Sequence, residues 1–320
     1  MQSFLFFYAN YKTNTMKKKR LEWFGIMVFA FILNACSSGG GDVPVPAPQP
    51  PPVEKKIPIK LNCGLSSRVS DSSYENNDKV GLYVVNYKDG SAGTLQASGN
   101  HVDNVAFTYS GSSWTSGSSL YWKDDKIKAD FYVYYPYGSV TDVTVHPFSV
   151  KEDQSSITSY KASEFLYGVS KGVSPTENAV NVTTYHLMSC AVIKLIAGDG
   201  FTDSALAAEE ISVSLNGLKT ASMVNLQTGE VMASGDAKQM IPLEEDGTYK
   251  ALVIPQTISA DNFISIVIDG REYKLAEESF TFVSGKRHSF SVTVSKVSNG
   301  VNVSVGAWDE DEEDHGGTAM

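Results

Sequence analysis

From about residue 57 onward, the chain is a succession of short apolar runs, alternating or β-branched, each closed by a turn, with almost no helical period. In residues 289–295, Phe290, Val292 and Val294 alternate with Ser289, Ser291, Thr293 and Ser295, which predicts a strand with one wet face. Asn299-Gly300 follows, the pair a type I′ turn favours because both central residues need positive φ, and Val301, Val303 and Val305 run back as the partner. Residues 79–87 make a similar run closed by Lys88-Asp89-Gly90, residues 129–135 a buried strand stopped by Pro136, and residues 263–268 a strand ending at Asp269-Gly270. Shorter candidates lie at 57–61, 105–109, 143–145, 165–169, 211–215, 222–226, 240–243 and 249–254. The run 180–196 carries apolar residues on both faces and reads as a central strand. Only residues 204–210 look weakly helical, too few to organise a core. Many short strands without helices predict an all-β chain of β-sandwiches. The break at Gly198-Asp199-Gly200 divides it into 57–200 and 201–320.

The first 35 residues have a different character. Lys17, Lys18, Lys19 and Arg20 precede an apolar run over 24–33, and Leu33-Asn34-Ala35-Cys36 closes it. A positive region followed by a short apolar run and a small residue is the pattern of a secretion signal, too short for a membrane span. The cysteine directly after the small residue resembles a bacterial lipobox, so Cys36 is the expected lipidation site and new N-terminus, with Met16 as the start of the leader. Each buried acyl methylene contributes about 0.8 kcal/mol, so two or three chains would hold a domain at an outer membrane without a helix. Residues 36–56 then read as a tether. It is Gly/Ser-rich to Asp42 and proline-rich to Pro52, hence extended and semi-rigid.

The 320 residues carry a formal charge of -10, and removing five basic and one acidic residue with the leader leaves -14. An acidic body argues against nucleic acid and against electrostatic docking on anionic lipid. Besides Cys36, only Cys63 and Cys190 remain. They read either as a disulfide, which an extracytoplasmic location permits, or as two separate buried thiols.

Several segments, in order, resemble the fimbrillin family, the subunits of Bacteroides-type type V pili. Ser66-Ser67-Arg68-Val69 follows the first strand, and Asp78-Lys79-Val80-Gly81-Leu82-Tyr83 is similar to a family strand. Tyr121-Trp122 and the run from Asp130 to Pro136 look like its Trp-to-Tyr-Pro segment. Tyr185-His186-Leu187-Met188-Ser189-Cys190 and the ending from Trp308 to Met320 are also similar. The resemblance implies two transthyretin-like, immunoglobulin-like sandwiches in tandem and a subunit exported as a lipoprotein to a cell-surface fimbria. It implies a protease cut at Arg68, departure of the first strand, and its replacement by a C-terminal strand of the next subunit. Val301, Val303 and Val305 are the donor candidates, with an ordinary hairpin strand as the other reading of the same residues. Arg68 reads otherwise as a solvated loop arginine. Partners would be other fimbrial subunits, with a host or bacterial surface ligand possible. The alternative function is an anchored lipoprotein that binds a glycan or host ligand without polymerising.

Other constellations carry less. Gly168-Val169-Ser170-Lys171-Gly172 has the letters of a nucleophile elbow but Pro175 and no helical period behind it. The five histidines show no metal spacing, and the acidic run 309–314 lacks the layout of a calcium loop. No cofactor or metal and no enzymatic activity is expected. Tyr132, Tyr134, Tyr135 and Tyr137 read as sheet packing or as a stacking platform for sugar. Asp203-Ser204-Ala205 makes Ser204 a weak O-glycosylation candidate.

Overall fold

The computed structural model describes residues 56–66, 73–207, 209–297, 300–305 and 309–310. The leader, residues 36–55 of the tether including Cys36, and Arg68 lie outside the described residues. The chain from Val53 to Met320 is one compact unit. It is nearly all β, as the turn-punctuated runs require.

The first sheet uses seven strands: β1 (Lys60–Leu65), β2 (Lys79–Asn86), β3 (Val102–Tyr109), β4 (Trp114–Ser116), β5 (Ala129–Tyr135), β7 (Leu166–Val173) and β8 (Ala179–His186). Their spatial order is β1-β8-β7-β5-β2-β3-β4. β2 and β5 sit centrally, and both are buried on both faces because both read as continuous apolar runs. Asp89 and Gly90 after β2 both have positive φ, 52° and 79°, as the turn chemistry predicts.

Strand β6 (His146–Ser149), between β5 and β7 in sequence, leaves this sheet and pairs with a strand from the second half. The second half contains β9 (Ser189–Ala197), β10 (Ile211–Val224), β11 (Val231–Met240), β12 (Leu243–Glu245), β13 (Thr248–Val253), β14 (Gln256–Ile268), β15 (Arg271–Phe282), β16 (Arg287–Val297), β17 (Gly300–Val305) and β18 (Asp309–Glu310). One sheet runs β11-β10-β14-β15 with β6 beside β10; the other runs β12-β13-β9-β16-β17 with β18 also on β16. Among the described residues two short helices, α1 (Ile157–Lys161) and α2 (Asp203–Leu206), fill connections.

The expected single strand over 180–196 is two. β8 ends at His186, Leu187 and Met188 pass between sheets, and β9 pairs with β13 and β16. The change of sheet therefore precedes Gly198. Leu187 and Met188 are buried, so the crossover is as apolar as the strands it joins and gives no break in hydropathy. The expected separate strands at 211–215 and 222–226 are instead largely one, β10, with irregular register around Gly217 at φ 77°.

Two apolar clusters result. The smaller lies against one face of the first sheet and includes Leu61, Leu82, Phe131 and Trp122. The larger is shared between the halves: Tyr83, Tyr134 and Tyr167 join Phe263, Ile266 and Phe290. A strap following β5 ties them. Besides β6, Gln154 is fully buried; its Oε1 accepts from Leu252 N and its Nε2 donates to Leu252 O, both at 2.8 Å. Replacing Gln154 by Ala orphans two buried backbone groups, which cost about 1–3 kcal/mol each when unpaired. Gln154→Ala should lower unfolding free energy by about 2–4 kcal/mol in urea titration, with one cooperative transition retained.

Candidate functional site

β1 has the geometry of a detachable element. It is an edge strand, paired with β8 alone in regular ladder and in parallel, from Lys60↔Ala179 to Leu65↔Thr184. A parallel partner late in the chain means that no hairpin joins β1 to its neighbour, so removing it breaks no turn. Its side chains alternate. Leu61 and Cys63 face the smaller core together with Ile59 just before the strand, while Lys60, Asn62 and Gly64 are exposed. Outward, Lys60 Nζ donates to Glu177 O at 2.9 Å and Asn62 Nδ2 to Asn181 Oδ1 at 2.8 Å. At its far end Ser66 N donates to Thr184 O at 2.9 Å. The expected first strand, 57–61, thus lies at the start of a longer paired segment that reaches Leu65. Arg68 lies two residues beyond Ser66, outside the described residues.

At the other end of the chain, β17 is an edge strand too. It runs antiparallel to β16, and Val301, Val303 and Val305 sit at alternate register positions opposite Lys296, Val294 and Val292. It is thus a hairpin strand, as the valine alternation anticipates, but Gly300 is already paired with Val297 as the first residue of β17 rather than occupying a central turn position, and Asn299 lies outside the described residues. The two edge strands belong to different sheets.

The remaining candidates separate cleanly. Cys63 and Cys190 are buried thiols in different clusters and are not joined in a disulfide, and burial pushes the Cys63 thiol far above its ordinary range. Ser204 lies on α2, exposed, with its Oγ 3.1 Å from Thr202 Oγ1. Ser170 stands inside β7 and donates to Asn181 O at 2.6 Å; no helix follows, so the elbow letters carry no nucleophile. Tyr132 and Tyr134 are buried in packing, which leaves only Tyr137 of the aromatic row substantially exposed. His186 closes β8, and its Nδ1 lies 2.7 Å from Glu164 Oε2 in a buried pair. Among the described residues no three His, Cys, Asp or Glu converge on a possible metal position. Of the acidic run, only Asp309 and Glu310 are described, as β18.

One feature of the site has no sequence signature. Leu120 and Trp122, in the connection between β4 and β5, form backbone hydrogen bonds with the residues just before β1. Neither residue type nor spacing announces such pairing, because the connection has no alternation of its own.

The profile of the fimbrillin-like family matches residues 67–308. The chain belongs to the fimbrillin-like family. A curated relative from Bacteroides uniformis, described as the fimbrium subunit Fim1C, is 27% identical over 316 residues, covering 92% of this chain and 96% of that one. Among solved structures, one described as a cell adhesion protein from Bacteroides uniformis superposes with a TM-score of 0.59 at 21% identity, covering 80% of this chain and 97% of that one. Another, described in the same terms from Bacteroides ovatus, has a TM-score of 0.62 at 17% identity, over 81% and 98%. These structures share the fold. This fimbrillin-like chain is accordingly a fimbrial subunit at the cell surface, of a structural rather than an enzyme family, and its partners are other fimbrial subunits.

The packing of β1 can be weighed residue by residue. Leu61→Ala should destabilise the intact protein by about 2–5 kcal/mol, whereas Lys60→Ala, on the wet face, should change it by less than about 0.5 kcal/mol in the same urea titration.

Proposed function

We propose that this subunit is exported as a lipoprotein and assembles by strand replacement. Cys36 carries the acyl anchor to the outer membrane, Arg68 is the processing site, and β1 leaves with the anchor after cleavage. The place beside β8 is then taken by residues of β17 from the next subunit, with Val301, Val303 and Val305 facing the smaller core.

The observation that carries this reading is the edge position of β1 in a parallel pairing with no hairpin to its neighbour. Its departure would leave the N–H and C=O groups of β8 unpaired and uncover Val180 and Val182, both now buried. An open edge above an apolar groove favours addition of a strand. A donor with three buried aliphatic side chains recovers roughly 1.5–3 kcal/mol for each, and its ladder about 1 kcal/mol per net hydrogen bond. β17 meets the requirement in pattern: it lies at an edge, has a valine at every second position and, among the described residues, pairs with one strand, β16.

Limited digestion of the purified body with a trypsin-like protease tests this. The expected result is a new N-terminus at Val69, loss of the fragment that contains Cys63, and SDS-resistant oligomers. Val303→Asp should preserve cleavage and abolish the oligomers, because a carboxylate cannot be buried unpaired in the groove. A cut body that keeps its N-terminal fragment and stays monomeric would contradict the reading.

A further inference from the structure

The place occupied by β1 has two walls. Pairing with β8 is the first. On the opposite side, Ile59 N donates to Leu120 O at 2.8 Å and Trp122 N donates to Ile57 O at 2.9 Å. Pro58 and Tyr121 are the antiparallel partners between these bonds. Bonds that flank a pair make it the non-hydrogen-bonded kind, so residue 58 needs no N–H and proline fits there. Further along, Trp114 Nε1 donates to Cys63 O at 3.1 Å. Between these contacts a cleft of about 360 Å³ remains, bounded by Lys60 on one side and Ser116 and Ser119 on the other.

The wall is a connection, not a strand. It leaves β4 after Ser116 and reaches β5 at Ala129, and its isolated bridge is to Pro58. The C=O of Tyr121 points away from β1 and accepts from His101 Nε2 at 2.7 Å, which anchors the outer side. Beneath, Trp122 is 5% exposed and its ring lies 5.2 Å from that of Phe131. The covering of this part of the core therefore depends on the connection lying flat.

We propose that residues 117–122 are a clasp that closes on whichever strand lies beside β8 and reads its backbone. This rests on the strand-replacement reading for the incoming partner, a second copy of this chain. The clasp requires a free C=O and a free N–H two residues apart, at the places of Ile57 and Ile59. Proline is accepted between them and refused at the second place. Side chains must alternate, apolar inward at the places of Ile59, Leu61 and Cys63. When β1 departs the clasp loses both bonds and opens; when a donor arrives it closes again. The site thus selects a strand by two edges at once.

Amide hydrogen exchange on the full-length, uncut chain tests this first. In low urea the Trp122 amide should open with the same urea dependence as the amides of β1 that face β8; independent opening of Trp122 overturns the clasp. Ile59→Pro should speed Trp122 exchange at least fivefold, the equivalent of one lost net hydrogen bond, and Pro58→Ala should leave it unchanged. Equal effects of the two variants also overturn it. In the assembled fimbria the Trp122 amide should again be protected, although Ile57 has gone. A polymer in which Trp122 exchanges freely would sink the clasp and leave strand replacement standing. Failure to polymerise would sink replacement, and the uncut chain would still decide the clasp.

Discussion

The ladder between β1 and β8 is parallel, lies at the rim of its sheet, and joins segments far apart in the chain. Among the described residues, the backbone groups on this side of β8 have no partner strand other than β1, and an unpaired row above an apolar face is both costly and adhesive. β8 itself alternates strictly, with every second residue buried from Val180 to His186. Whatever covers it must alternate in the same way. β1 meets that demand through Leu61 and Cys63, and polar Lys60 and Asn62 turn outward to bond the β8 side of the sheet. The side-chain pattern follows from this one rim position, and the parallel direction is what leaves β1 without a connecting hairpin.

The distribution of apolar contacts bears on what such a subunit withstands. Leu61 and Cys63 belong to the smaller cluster, whereas the cluster that joins the two halves is built on the other face of the first sheet and on the two sheets of the second half. Loss of β1 therefore opens one core and leaves the other closed. The strap through β6 and Gln154 adds backbone pairing across the halves, and Tyr167 Oη donates to Leu226 O at 2.9 Å in the same region. On the strand-replacement reading, a subunit built this way would exchange an edge while the remainder holds its shape.

Legibility in the sequence followed burial. β5 is legible from Ala129 to Tyr135 because a largely apolar run, interrupted only by Asp130, is ended by Pro136. The turn at Asp269-Gly270 was equally plain, since both residues take positive φ. β11 and β15 leave little trace in the sequence. β11 is largely exposed, and β15 carries Arg271, Glu272 and Lys274 at its start, so neither shows an apolar stripe; both are the rims of their sheet, where polar residues guard against unwanted pairing. The crossover at Leu187–Met188 was hidden for the opposite reason, being as buried as a strand. At the candidate site, β1 was visible through Ile59 and Leu61. Its second wall was not, because Leu120 and Trp122 contribute main-chain groups, which every residue has.

The most direct measurement is an electron-microscopy map of the assembled fimbria at a resolution that traces the chain. Strand replacement predicts that the segment hydrogen-bonded to Ala179–His186 belongs to a neighbouring subunit and carries Val301, Val303 and Val305 against Val180 and Val182. A map in which Lys60–Leu65 of the same chain still lies beside β8 would contradict it.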